Sequence, residues 1–213
     1  MKVKICGLTR LEDALAALDA GADLLGFNFH PASPRYIETA ACAQMVSELR
    51  KRGVKTVLVG VFVNRPAGEI AAVLDACHLD LAQLSGDEPP ETLAALGRRA
   101  FKALRARDAQ GLEESWRVYP MRTSPPTCLV DAYRPGLYGG TGQLADWSLA
   151  GRLARRAPIL LAGGLTPENV AEAIRQVRPW GVDVASGVEA SPGRKDPARV
   201  LAFIRAARND ATA

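Results

Sequence analysis

Short apolar or β-branched runs alternate along this chain with longer stretches in which apolar residues return at helical spacing. Val3 to Cys6, Asp23 to Phe29, Thr56 to Val63, Asp80 to Leu84, Ala100 to Arg105, Cys128 to Asp131, Pro158 to Ala162 and Val182 to Ala185 read as strands. Between them, Leu11 to Ala20, Thr39 to Arg52, Pro66 to Cys77, Pro90 to Arg98, Asp146 to Arg155, Pro167 to Gln176 and Pro197 to Ala207 read as helices, with Gly111 to Val118 a weaker one. Pro66, Pro167 and Pro197 fall at first-turn positions, where a missing N–H costs nothing, and Asn64, Thr166 and Asp196 stand nearby as N-caps. Gly21 and Gly53 follow the first two helices as C-terminal stops.

Eight strand-helix units in 213 residues leave about 27 residues per unit, the size of a compact (β/α)₈ barrel. The expected architecture is therefore α/β, a TIM barrel, with residues 1–213 as a single domain. A doubly wound sheet is the alternative, but no GxGxxG opens a helix after the first strand, where a dinucleotide fold places it. No linker, low-complexity tract or strong internal repeat divides the chain.

Composition narrows the chemistry. With 48% hydrophobic and 23% charged residues the chain has ample material for a core. Its apolar runs, such as TVLVGVFV from Thr56, are shorter than half of the ~18 residues of a membrane span. The N-terminus meets acidic residues too early for a secretory signal, so a cytoplasmic location is expected. Four widely spaced cysteines without a CxxC pair imply free thiols. With two histidines and no cysteine cluster, no metal site is expected. The net charge of +4 is spread without blocks, and aromatics make up 6%. That pattern suits a small anionic ligand and lacks the basic, aromatic-laced stripe of a nucleic-acid surface.

In a barrel, the reacting groups project from the C-terminal ends of the strands. Gly163-Gly164 before Leu165-Thr166-Pro167, and Ser186-Gly187 before Val188-Glu189, end strands seven and eight. They read either as helix-capping turns or as a phosphate grip, since glycines expose backbone N–H groups there. Cys6, ending strand one beside Gly7, reads as a small core residue or as a partly exposed thiol among cations, the setting that favours thiolate. Asp131, ending strand six, reads as a loop cap or as an acid facing Cys6 across the mouth. Arg35 is a solvated charge or a planar fork for a carboxylate. His30 reads as a solvated side chain, and Gly136 to Gly142 as a loop over the mouth or a plain turn-rich connection.

The motifs KICGLTR (Lys4 to Arg10), GADLLGFNFHPASPRYI (Gly21 to Ile37), GVFVN (Gly60 to Asn64), AQLSGDE (Ala82 to Glu88), GGTG with DW (Gly139 to Trp147), LAGGLTPENV (Leu161 to Val170) and GVDVASGVEASPGRKD (Gly181 to Asp196) follow one another in order. Together they resemble the phosphoribosylanthranilate isomerases, the Amadori isomerases of tryptophan biosynthesis. The resemblance covers almost the whole chain. It implies a (β/α)₈ barrel that acts on a small anionic phosphosugar without cofactor, membrane or nucleic acid, as a monomer or a homodimer. It also implies Cys6 as general base, Asp131 as general acid, Arg35 on the anthranilate carboxylate, and Gly163, Gly164, Ser186 and Gly187 on the phosphate. Gln83 and Asp183 fall on motif positions near the substrate.

The chain departs from that family pattern at Ser85, usually His, and at Ala145, usually Phe; the segment Ala132 to Gly140 aligns loosely. Two other readings stand beside this one. The related isomerase of histidine biosynthesis places a carboxylate where Cys6 stands and needs a second phosphate grip. A non-catalytic barrel that binds a phosphorylated metabolite would need neither Cys6 nor Asp131.

Overall fold

The computed structural model describes residues 1–105, 108–131 and 146–209. All eight expected strands form: β1 (Lys2–Ile5), β2 (Leu24–Asn28), β3 (Val57–Phe62), β4 (Leu81–Leu84), β5 (Ala100–Leu104), β6 (Cys128–Val130), β7 (Leu160–Leu161) and β8 (Gly181–Val184). They close in sequence order into a parallel barrel, with β8 returning to β1 through the register Lys4 to Asp183. Around it run α1 (Leu11–Asp19), α2 (Thr39–Lys51), α3 (Ala67–Ala76), α4 (Pro90–Leu96), α5 (Ala109–Val118), α6 (Trp147–Ala154), α7 (Val170–Val177) and α8 (Pro197–Asn209).

Alternation along each strand sorts the side chains onto two faces. Val3, Ile5, Leu25, Phe27, Leu58 and Val182 point outward and pack with helix residues such as Ala14, Val46, Ile70 and Phe203. Inward, Leu24, Val59, Phe101, Leu129 and Leu160 form a separate apolar plug. Each fully buried side chain of this kind is worth roughly 1.5–3 kcal/mol. Further along the strands the inward positions turn polar: Cys6, Asn28, Gln83, Asp131 and Asp183 all line one pocket at the C-terminal end. The barrel is thus dry below and polar above.

The helix boundaries differ from the sequence expectation where side chains have other partners. Asp196 caps α8, accepting from the backbone N–H groups of Ala198 and Arg199 at 2.9 and 3.1 Å. Asn64 does not cap α3. It adopts a left-handed φ of +53°, and its Oδ1 accepts from Asp87 N at 2.6 Å, tying the β3–α3 turn to the β4–α4 turn. Thr166 opens a turn, and α7 itself starts at Val170. The weaker helix is real: α5 begins at Ala109, with Asp108 accepting from Gly111 N. Gly21 and Gly53 have φ of +99° and +75°, as C-terminal stops require.

One element had no counterpart in the strand pattern. After β8, a short hairpin of β9 (Glu189–Ser191) and β10 (Arg194–Lys195) turns back through Pro192-Gly193. Thr9 donates to Gly193 O at 2.6 Å, and Lys195 N donates to Asp13 at 3.0 Å, so the hairpin is pinned to the β1–α1 connection and to the first turn of α1. Among the described residues no helix is long and apolar enough to cross a membrane.

Candidate active site

Cys6, Arg35, Gln83, Asp131, Gly163, Gly164, Asp183 and Ser186 line a single pocket at the C-terminal mouth of the barrel, although they come from six different strand ends. Gly187 sits one residue behind. A Cβ there would lie 2.0 Å from Leu165 O, so its bare face lets the turn after β8 pack directly on the turn after β7. That contact holds the two glycine turns side by side. Gly163 and Gly164 have φ of +91° and +62°, a region that side chains strain to enter. Asn169 fixes this turn from both directions, donating to Gly164 O at 2.9 Å and accepting from Thr166 N at 2.8 Å.

Cys6 is only 8% exposed, as in the reading of a small core residue and against that of a partly exposed thiol, although it still lines the pocket. Burial pushes its pKa up, the Lys4 ammonium pulls it down, the Asp183 carboxylate pushes it up again, and Lys195 pulls it down; the net direction is upward. The cations that favour thiolate are therefore buried lysines. The other cysteines are also free and buried; burial pushes Cys128 up to about 12.

Arg35 is nearly buried beside Gly7, and its fork is already engaged. Its Nε and Nη2 donate to the two carboxylate oxygens of Glu189, each at 2.8 Å. Lys195 Nζ donates to the same carboxylate at 2.8 Å and to Ala185 O at 3.0 Å. Burial alone would raise the Glu189 pKa, but the Arg35 hydrogen bonds and the Lys195 charge outweigh it and hold the carboxyl below its ordinary range. Arg35 thus meets the pocket as one half of an ion pair, where a loop charge or an open fork was expected.

Gln83 donates to Ser85 Oγ at 3.1 Å, and its Oε1 is buried with no donor among the described residues. A buried acceptor of this kind is costly to leave unpaired, and a ligand N–H or O–H would satisfy it. Asp183 accepts from the fully buried Lys4 at 2.8 Å. Outside the barrel, Lys102 pairs with Glu88 at 2.6 Å, and Glu88 accepts from Asn64 N and Gly86 N, which sets the β3 and β4 connections beneath the mouth. His30 lies on the β2–α2 connection, and its N–H donates to Asn28 Oδ1 at 2.8 Å. The expected loop Gly136 to Gly142, and Ala145, lie outside the described residues.

Lys4, Glu189 and Lys195 were not singled out from the sequence. Lys4 carried a usable signal: KVKI alternates lysines with apolar residues, and Lys4 is the lysine that falls inside the barrel. Glu189 and Lys195 became legible only through the hairpin, for which Pro192-Gly193 was the one local cue.

A closed parallel barrel whose polar mouth holds a thiol, a carboxyl group and glycine turns is the frame of a (β/α)₈-barrel enzyme. Residues 3–206 match the family described as N-(5'-phosphoribosyl)anthranilate (PRA) isomerase. The chain is 48% identical over 208 residues to the N-(5'-phosphoribosyl)anthranilate isomerase of Geobacter sulfurreducens, covering 98% of each. It superposes on the phosphoribosyl anthranilate isomerase of Thermotoga maritima with a TM-score of 0.85 at 38% identity, covering 98% of this chain and 99% of the other. A phosphoribosyl anthranilate isomerase in complex with reduced 1-(o-carboxyphenylamino)-1-deoxyribulose 5-phosphate matches with a TM-score of 0.82 at 37% identity, again covering 98% and 99%. The chain belongs to the phosphoribosylanthranilate isomerase family, and it is an isomerase of tryptophan biosynthesis.

Proposed function

We propose that this chain converts N-(5'-phosphoribosyl)anthranilate into 1-(2-carboxyphenylamino)-1-deoxyribulose 5-phosphate with Cys6 as general base and Asp131 as general acid. The observation that carries this reading is the meeting of Cys6 and Asp131, from strand ends that are not neighbours in the barrel, in one pocket. Asp131 protonates the ribose ring oxygen while the anthranilate nitrogen pushes the ring open, so the C1′–O bond breaks and a C1′–N iminium forms. The Cys6 thiolate then takes the proton from C2′. Those C–H electrons become the C1′–C2′ double bond and neutralise the iminium as an enolamine. Proton return to C1′ and loss of the enol O–H proton give the aminoketone. Each positioned acid or base contributes on the order of 10² to 10⁴ in rate.

The remaining residues hold the substrate. The two glycine turns, Gly163-Gly164 and Ser186-Gly187, present backbone N–H groups to the 5′-phosphate. Arg35 meets the anthranilate carboxylate, and Gln83 and Asp183 flank the ribose. Every step shifts electron pairs within the substrate and exchanges protons with Cys6 and Asp131, with no net redox change, so the reaction calls for no cofactor or metal. Purified protein should abolish the fluorescence of anthranilate-ribose phosphate in a continuous assay. A signal that persists under turnover conditions would leave only binding.

A further inference from the structure

We propose that Lys4 is the positioning residue that makes Cys6 a base: its buried ammonium is the counter-charge to the thiolate, and Asp183 holds it in place. This rests on the reading of Cys6 as the proton-abstracting group.

Lys4 is fully buried in the barrel interior, and one of its three ammonium donors goes to Asp183 at 2.8 Å. A lysine with no exposed surface needs a reason to be inside, since a well-packed apolar pair would serve stability as well or better. Gly26 of β2 supplies the geometry. A Cβ built on it would lie 2.7 Å from Cys6 Sγ and 3.1 Å from Lys4 Nζ. Both atoms therefore converge over the bare face of Gly26, within about 6 Å of each other, close enough for an ammonium to favour a thiolate. This also explains a glycine inside the strand Leu24–Asn28, where it gives up packing.

The charged groups that act on Cys6 are few. Lys4 lies on its own strand, Asp183 on β8 and Lys195 on the hairpin; Arg35 and Asp131 line the same pocket. Burial, the largest influence, and Asp183 oppose the thiolate, while Lys4 is the strongest group that favours it. Asp183 thus acts in two ways: it keeps Lys4 charged and in place, and it repels the thiolate through its own charge. Removing each charge has a separate signature. Asp183→Asn should lower the Cys6 titration, because the repulsion goes while the amide oxygen still accepts from the Lys4 ammonium and keeps it beside Cys6. Lys4→Met with Asp183→Asn should raise it again, because both charges are gone.

The test follows the pH dependence of iodoacetamide alkylation at Cys6, located by peptide mass mapping, in the substrate-free protein. At a fixed pH below the midpoint, Asp183→Asn should alkylate Cys6 severalfold faster than wild type, and the double variant at least tenfold slower than Asp183→Asn. Lys4→Met alone leaves a buried carboxylate unpaired, so the double variant carries the test if the single one does not fold. Equal Cys6 titration in Asp183→Asn and the double variant would overturn the proposal. Because the readout is thiol chemistry without substrate, it stands or falls separately from the assignment of the reaction, which the turnover assay decides.

Discussion

Arg35 and Glu189 face each other through two parallel hydrogen bonds of 2.8 Å that join the β2–α2 connection to the hairpin after β8, guanidinium edge to carboxylate edge. The chain's own carboxylate thus occupies the geometry that a substrate carboxylate would use. On the proposed role of Arg35, an aromatic carboxylate entering the pocket would either take over part of the fork or bind along the face of Arg35 left open to the pocket. In both cases Arg35 is pre-oriented, so little side-chain freedom is lost on binding.

Arg35→Ala should weaken binding of the reduced product analogue by about tenfold to over a hundredfold, the roughly 1.5–3 kcal/mol of a charge-assisted contact. Arg35→Lys should recover little of it, since an ammonium lacks the planar fork. Calorimetric titration of the folded variants decides this. Unchanged affinity would remove Arg35 from the site.

Glu189 is held below its ordinary carboxyl value of 4.5 because Arg35 and Lys195 outweigh the effect of burial. A carboxyl group whose folded pKa is depressed binds fewer protons folded than unfolded. Its contribution is therefore complete above the unfolded value and fades as pH falls through the folded one. Wild type should exceed Glu189→Gln in urea stability near neutral pH, and the difference should shrink steadily below about pH 4.5. A difference that stays constant down to acid pH would contradict this.

Gly187→Ala places a methyl group against Leu165 O, where the contact would be 2.0 Å. The turns after β7 and β8 must then separate. Phosphate and the phosphorylated product analogue should both bind more weakly, while an unphosphorylated anthranilate analogue loses little. Gly164→Val should act in the same direction through its left-handed backbone. Equal losses for both kinds of ligand would place the effect elsewhere.

Cys6→Ser and Asp131→Asn each remove a proposed proton-transfer group with little change in volume. Turnover should fall by several orders of magnitude while circular dichroism and melting stay near wild type. Near wild-type turnover in either folded variant removes that residue from catalysis.

Among the four thiols, Cys6 alone has lysines beside it and a pocket in front of it. It should be alkylated before Cys42, Cys77 and Cys128, and the bound product analogue should protect it. Faster reaction at Cys128 would contradict its burial and its pKa of about 12.

Much of this was legible in the sequence because the barrel writes itself into local periodicity. Strands such as Val57–Phe62 are apolar on both faces because both are covered, and every expected strand formed within a few residues of its bounds. Cys6, Arg35, Gln83 and Asp131 stood out because strand ends are where a barrel holds its chemistry; Asp183 came only with the family resemblance, which also implied roles for the others. What stayed hidden was pairing at long range. That Arg35 meets Glu189, 154 residues on, or that Asn64 serves the β4 turn, depends on how distant segments meet. Neither spacing nor propensity encodes such contacts.

The division of the barrel interior into a dry lower half and a polar upper half separates persistence from reactivity. Leu24, Val59, Phe101, Leu129 and Leu160 keep the strands together without touching the pocket, whereas Lys4 and Asp183 place a charged pair where hydrocarbon would fit. Replacing that pair by apolar residues of similar volume would leave the fold neutral or about 1–4 kcal/mol firmer. It would also take from Cys6 the strongest group that favours its thiolate. On the proposed role of Lys4, a search for heat tolerance alone would drift toward such inert barrels, and a simultaneous demand for proton transfer would keep the charges inside.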